Sequence, residues 1–261
     1  MRLDVPKELK RGRHRSDEAW RASAIELLEL LARSFGRTDL SDADVLDVGC
    51  GTKFTKVMLE EGLPIRRYVG VDSSAAIVDF LTSAVDDPRF AFHHLDAHND
   101  LYNPGGLPLA GFDRLPLGPE LFDIICLFSV FTHLSPTDYR AMLKVLRPHV
   151  APGGGLIFSL FVDARMTPEV RQAINQEVKR RRDAGDPEVL SAIEARLSSA
   201  DPDRIDEVPP FVDRIPDRPM LEAVYSEAYA RELIEGTGWA AVSLHPPQPP
   251  VIQHYFICRP T

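Results

Sequence analysis

Several features are scarce in this 261-residue chain. No stretch approaches the ~20 consecutive apolar residues of a membrane-spanning helix, and the chain does not open on an apolar leader-like run. No membrane partner is expected, and the cytoplasm is the default location. Positive charge is in deficit: 30 Lys and Arg stand against 39 Asp and Glu, a formal net charge of −9. That balance argues against a nucleic-acid phosphate backbone as general partner, and the short basic run from Lys7 to Arg15 reads as a solvated tail. Cysteine is limited to Cys50, Cys126 and Cys258. They fall inside apparent strands or a glycine turn and are expected to be buried free thiols of a reducing compartment, not a disulfide frame. Internal repeats are missing. His93, His94 and His98 raise the question of a metal, but adjacent strand residues point to opposite faces, and no established ligand spacing occurs. No metal is expected. At 44% hydrophobic and 26% charged residues, the composition suffices for one large domain carrying an insertion.

What is present is organised around Val45-Leu46-Asp47-Val48-Gly49-Cys50-Gly51-Thr52. Val45 to Val48 reads as a buried parallel strand, broken by Gly49 and Gly51, with helical character from Phe54 to Glu61. Strand, glycine turn and helix in that order form a nucleotide-binding corner, because glycine lets a ligand approach the backbone and the helix start offers N–H donors. A dinucleotide fingerprint asks for a third glycine where Phe54 stands. A second strand, Tyr68 to Asp72, and a third, Phe90 to Leu95, each close on an acid, Asp72 and Asp96. Residues 97–119 form a long Asn-, Pro- and Gly-rich loop. A fourth strand, Phe122 to Phe128, is followed by a helix capped by Ser135 with Pro136 in its first turn. The Pro152–Gly155 run is expected to turn into a fifth strand, Leu156 to Val162.

Four segments follow from this rhythm: an N-terminal tail and helix at 1–40, a core at 41–162, a charge-dense helical insertion at 163–220 and a return to the core at 221–261. The insertion holds a helix from Pro168 to Arg182 and is expected to act as a lid. Its Lys179–Arg182 run reads as a solvated face. The last segment is expected to hold a helix from about Leu221 to Glu235, then strands Trp239–His245 and Val251–Cys258, whose short proline-rich link forces them antiparallel. The fold class is α/β, a doubly wound, mostly parallel sheet with an antiparallel last strand and a helical insertion. No sequence feature fixes an oligomeric state.

The stretch Val45–Phe54, with Asp47, Gly49 and Gly51 in place and Lys53 where a third glycine is usual, resembles the first motif of class I S-adenosylmethionine-dependent methyltransferases. Tyr68–Ser73, Asn99–Pro104 and Phe128–Leu134 resemble a bacterial branch of that family that acts on sugars or other hydroxylated small molecules. The resemblance implies a Rossmann-like methyltransferase fold, S-adenosylmethionine as cofactor, and a small-molecule or saccharide acceptor. It implies a cofactor site at Asp47, Gly49, Cys50, Gly51, Asp72, Ser73, Asp96, Ala97, Phe128 and Ser129. Within it Asp72 takes the ribose hydroxyls, at a spacing from Gly51 close to the roughly 20 residues expected of a ribose-binding acid, and Asp96 takes the adenine amine. An alcohol needs a base at its oxygen, and His133, just past the fourth strand, is the candidate, with a helix-capping role as its alternative. Tyr102, Asn103 and Tyr225, the last expected on the late helix, are candidates for the acceptor pocket or for structural roles. Two other readings stay open: an NAD-dependent oxidoreductase on a related sheet, and a non-catalytic protein that binds the cofactor.

Overall fold

The structure, a computed structural model, describes residues 2–10, 16–162, 211–213, 220–247 and 253–261. The expected helix Pro168–Arg182, the Lys179–Arg182 run and most of the 163–220 insertion lie outside them.

A mixed sheet runs through the molecule. Its strands are β1 (Leu40–Val48), β2 (Ile65–Asp72), β3 (Phe90–His94), β4 (Phe122–Leu127), β5 (Val150–Val162), β6 (Phe211–Asp213), β7 (Ala223–Tyr225), β8 (Trp239–His245) and β9 (His254–Pro260). In parallel register, β1 lies between β2 and β4, β3 flanks β2, and β5 flanks β4. The long β5 is shared on its far side. Leu156 to Leu160 pair antiparallel with β9, while Phe161 and Val162 pair in parallel with β7. β8 completes the antiparallel pair with β9. The chain thus leaves β1 toward β3 and returns to the other side through β4, so the strand order reverses between β1 and β4. Ligands of open α/β sheets bind at such a switch point, beyond the carboxyl ends of the strands.

Local sequence explains most elements. The helix α1 (Asp17–Ser34) starts where Ser16 Oγ accepts from the Ala19 N–H at 3.1 Å, with Asp17 and Glu18 in its positive first turn. It buries Ala24, Leu27, Leu28 and Leu31 in the core on one face of the sheet, each large side chain contributing on the order of 2 kcal/mol. α2 (Lys53–Glu61) ends at Gly62, in the left-handed conformation. α2 and α3 (Ala75–Ala84) share that face with α1. The opposite face is covered by α4 (Pro136–Leu146), α5 (Glu227–Ile234) and the loop side chains Leu109, Leu115 and Leu117. Ser135 caps α4 and Ser226 caps α5. Among the described residues no helix is long and apolar enough to cross a membrane.

Three expectations need correction. The expected helix over Leu221–Glu235 is a strand, β7, followed by the shorter α5, because Ala223-Val224-Tyr225 is drawn into the sheet between the end of β5 and β6. Tyr225 therefore lies on a strand. β5 begins at Val150 and runs through the glycines, where a Cβ on Gly155 would lie 2.6 Å from the Phe35 ring and 2.9 Å from the Cys258 carbonyl. Gly154 and Gly155 make room for neighbours, whereas Gly153, φ +79° with nothing within 4 Å of a Cβ, turns the chain. The last strand starts at His254; Val251 and Ile252 lie outside the described residues. The three cysteines are buried and free.

Candidate functional site

The glycine turn closes β1 at the switch point. Gly49 and Cys50 both donate backbone N–H bonds to the Val71 carbonyl, at 2.7 and 3.1 Å. Gly49 and Gly51 hold left-handed conformations, φ +75° and +51°, which glycine adopts without steric cost. A Cβ at Gly51 would meet nothing within 4 Å, so the turn borders open space. The next residue, Thr52, stands at the start of α2 with a buried hydroxyl that has no hydrogen-bond partner among the described residues. Asp72, last in β2, accepts from the Gly51 N–H through Oδ2 and from the Ser74 N–H through Oδ1, both at 2.9 Å. One carboxylate therefore ties the turn to the start of α3, placing Ser73 beside it.

The other strand tips carry further predicted residues. Asp96, two residues beyond β3, accepts from Asn103 Nδ2 at 2.9 Å, and the same amide reaches the Ala97 carbonyl at 3.1 Å. An expected cofactor residue and an expected acceptor residue thus form one unit that folds the long loop. Ser129 follows β4 in a left-handed conformation, φ +60°, uncommon for a residue with a side chain. Its N–H donates to Ser159 Oγ at 2.8 Å, and Gln253 Nε2 donates to its hydroxyl at 3.0 Å. Phe128 packs edge-to-face on Phe54. His133 ends a short 3-10 turn, Phe131–His133. Its Nδ1 lies 3.1 Å from the Met220 carbonyl, its ring meets Tyr102 edge-to-face at 5.7 Å, and its carbonyl accepts from Asn99 Nδ2 at 3.3 Å. A carbonyl can only accept, so Nδ1 carries the proton and Nε2 is the basic nitrogen.

A family described as a methyltransferase domain matches residues 14–193. The chain belongs to that family. Among similar solved structures, the glycopeptide N-methyltransferase MtfA complexed with S-adenosyl-L-homocysteine is 13% identical with a TM-score of 0.55, over 97% of this chain and 93% of that one. The magnesium protoporphyrin IX methyltransferase ChlM from Synechocystis PCC 6803, with bound S-adenosylhomocysteine, is 13% identical with a TM-score of 0.53, over 98% and 92%. At that identity the likeness is one of fold, the Rossmann-like methyltransferase fold.

Within this methyltransferase-family chain, some predicted residues lie off the crevice. Asp47 shares a sheet face with Tyr68 and Cys126 beneath the turn, is 3% exposed, and accepts from the Tyr68 hydroxyl at 2.6 Å. It supports the turn from below. The side chain of Cys50 is likewise buried, leaving its backbone to shape the turn. Tyr225 is fully buried, its hydroxyl donating to the Leu134 carbonyl at 2.5 Å, a packing role in place of the acceptor-lining one. Among the described residues no three His, Cys, Asp or Glu side chains are grouped to hold a metal ion; His93 pairs with Val71 inside the sheet, and His94 reaches the Ser73 carbonyl. Sequence reasoning does not single out Ser159, Met220 or Gln253, and Asn99 enters it only within the Asn99–Pro104 stretch. Ser159 could have been found as the lone polar residue in an apolar strand; Gln253 carries no local signal.

Lys53 extends Nζ to Ser23 Oγ at 3.2 Å, linking the turn to α1. Burial lowers its ammonium to about 8, partly opposed by the attraction of Asp47. Burial pushes Asp47 up to about 6, offset in part by hydrogen bonds from Tyr68 and Cys126. The folded state thus holds the Asp47 proton at a pH where the unfolded chain has released it. The stabilisation this gives is complete below about pH 4 and lost as pH rises through about 6. Asp47→Asn should therefore gain on the native protein across that window, by roughly 2–3 kcal/mol at pH 7.5 on the shift alone. Urea midpoints at pH 4.5 and 7.5 check this; a difference independent of pH would count against it.

Proposed function

We propose that the chain binds S-adenosylmethionine across the tips of β1, β2 and β4 and transfers its methyl group to a hydroxyl of a small molecule or sugar. The observation that carries the reading is the pairing of His133 Nδ1 with the Met220 carbonyl, which puts the ring proton on Nδ1 and makes Nε2 the basic nitrogen. Support for the cofactor comes from the open space over Gly51 and from the Asp72 carboxylate that accepts from the Gly51 N–H. S-adenosylmethionine, when bound, supplies a methyl group on a sulfonium whose displacement is downhill. Asp72 accepts from the ribose hydroxyls, Asp96 from the adenine amine, and Ser73, Ala97, Phe128 and Ser129 border the nucleoside. Tyr102 and Asn103 border the acceptor, and His133 Nε2 takes its hydroxyl proton as the oxygen attacks. Holding acceptor and methyl carbon in line supplies much of the acceleration.

Calorimetry with S-adenosylmethionine, S-adenosylhomocysteine and NAD tests the cofactor: retention of NAD with neglect of the other two overturns the reading. A panel of hydroxylated acceptors scored by product mass tests the transfer. His133→Ala should leave cofactor affinity within about twofold while slowing turnover on the order of 100- to 10,000-fold. Full turnover in that variant would remove His133 from the mechanism.

A further inference from the structure

The carbonyl that fixes the His133 tautomer belongs to a residue in an unusual conformation. Met220 has φ +54°, the left-handed region that residues with a side chain seldom enter. Nothing in methionine favours it, so the surroundings must impose it. Its N–H is held from β6. Asp213 Oδ2 accepts from the Met220 N–H at 3.0 Å, and the residue's other face, its carbonyl, points to His133 Nδ1 at 3.1 Å. The remaining carboxylate oxygen, Oδ1, is buried with no hydrogen-bond partner among the described residues. Such an oxygen is costly in a purely structural residue. The ribbon that carries Asp213 is itself registered on the His133 turn: Asp213 pairs with Ala223 in β7, and Tyr225 of β7 donates to the carbonyl of Leu134, the residue after His133.

We infer that Asp213 is a positioning residue for His133, acting through the left-handed Met220. By holding the Met220 N–H it turns the adjoining carbonyl onto Nδ1, so that the imidazole proton stays there and Nε2 faces the reaction as a base. This rests on the proposed role of His133. Histidine bases depend on the partner of their second nitrogen to choose the tautomer. Here that partner is a main-chain carbonyl aimed by a carboxylate on an outlying strand, 80 residues further along the chain.

Long-range nitrogen–proton NMR correlations of the His133 ring test this in the full-length protein without any substrate. The native protein should show the neutral ring with its proton on Nδ1; a proton on Nε2 would overturn the inference with no variant needed. Asp213→Ala should move the proton toward Nε2 and slow acceptor turnover roughly 10- to 100-fold at unchanged cofactor affinity. Asp213→Asn, whose amide oxygen can still accept from Met220, should keep the native tautomer. Adding Met220→Gly to Asp213→Ala should restore it, because glycine takes the left-handed conformation unaided; a merely structural loss would not be repaired this way. If His133→Ala is inactive but Asp213→Ala leaves the proton on Nδ1, the inference fails and the proposed function stands. If Asp213→Ala moves the proton while His133→Ala keeps full turnover, the coupling is real and the role assigned to His133 falls.

Discussion

Asp72→Ala is expected to weaken S-adenosylhomocysteine binding by at least about 100-fold, a loss of about 3 kcal/mol, and to lower the melting temperature as well. Two separate contributions lead to that size. The carboxylate accepts from the N–H groups of Gly51 and Ser74, both at 2.9 Å, and hydrogen bonds to a charged acceptor are worth roughly 1.5–3 kcal/mol each. Without them the turn and the start of α3 are no longer fixed to one another, so the ligand must itself order the turn. The proposed bonds to the ribose hydroxyls disappear in the same step. Asp72→Asn separates the two: one oxygen still accepts, while the amide turns a donor toward a backbone donor. Its expected loss is about tenfold. Calorimetry with S-adenosylhomocysteine, paired with thermal melts, reads both quantities. Native affinity in Asp72→Ala would mean that the nucleoside lies elsewhere, and the cofactor site would have to be redrawn.

The parts of the architecture that were legible are those written in contiguous residues. Val45–Val48 and Phe122–Leu127 are short, mostly apolar, β-branched runs interrupted by one Asp each, the pattern of a strand buried on both faces. Ser16 and Ser135 announce helix starts by cap chemistry that needs no tertiary context. The short link before β9 allows no geometry but antiparallel. What stayed hidden depends on residues distant in the chain. Three residues, Ala223 to Tyr225, cannot display a period, so their pairing with Val162 and Phe211 leaves no trace in sequence. Gly154 and Gly155 look like a turn because the bodies that crowd them, Phe122 and Asp123 for one and Phe35 and Cys258 for the other, lie far away in sequence. At the site, Asp72 could be placed from its distance to Gly51. The inward face of Asp47 could have been read from strand alternation with Val45, since both side chains sit on the α1 side of the sheet. The Ser129–Ser159–Gln253 cluster and the Asp213–Met220–His133 chain could not. Each joins ordinary residues from separate elements, and the left-handed conformations of Ser129 and Met220 occur at residues whose partners lie far away in sequence.

Gly49→Ala should cost roughly 3–5 kcal/mol of stability, whereas Gly51→Ala, two residues away, should cost only about 1 kcal/mol. Both positions are left-handed, with φ of +75° and +51°, so both substitutions carry the backbone penalty, on the order of 1 kcal/mol. They differ in what the new methyl group meets. At Gly49 it would lie 2.4 Å from Val130 Cγ2; at Gly51 there is nothing within 4 Å. Val130 opens the short turn that carries His133 and packs against the core on the α4 side. It gives way by rotating that side chain or moving the turn, and this is the overpacking that raises the Gly49 figure. Gly51→Ala instead sets a methyl group in the space where the cofactor is proposed to cross the turn, so it should bind S-adenosylhomocysteine more than about tenfold less tightly while folding nearly normally. The two glycines thus report on different things, one on how strand β1 packs under the switch point and the other on what passes over it. Urea midpoints and calorimetry on the pair separate these effects, and Val130→Ala in the Gly49→Ala background should recover part of the lost stability by removing the clashing methyl. Equal stability losses at the two positions, or no recovery in the double variant, would show that the approach of Gly49 to Val130 does not set the packing of the turn.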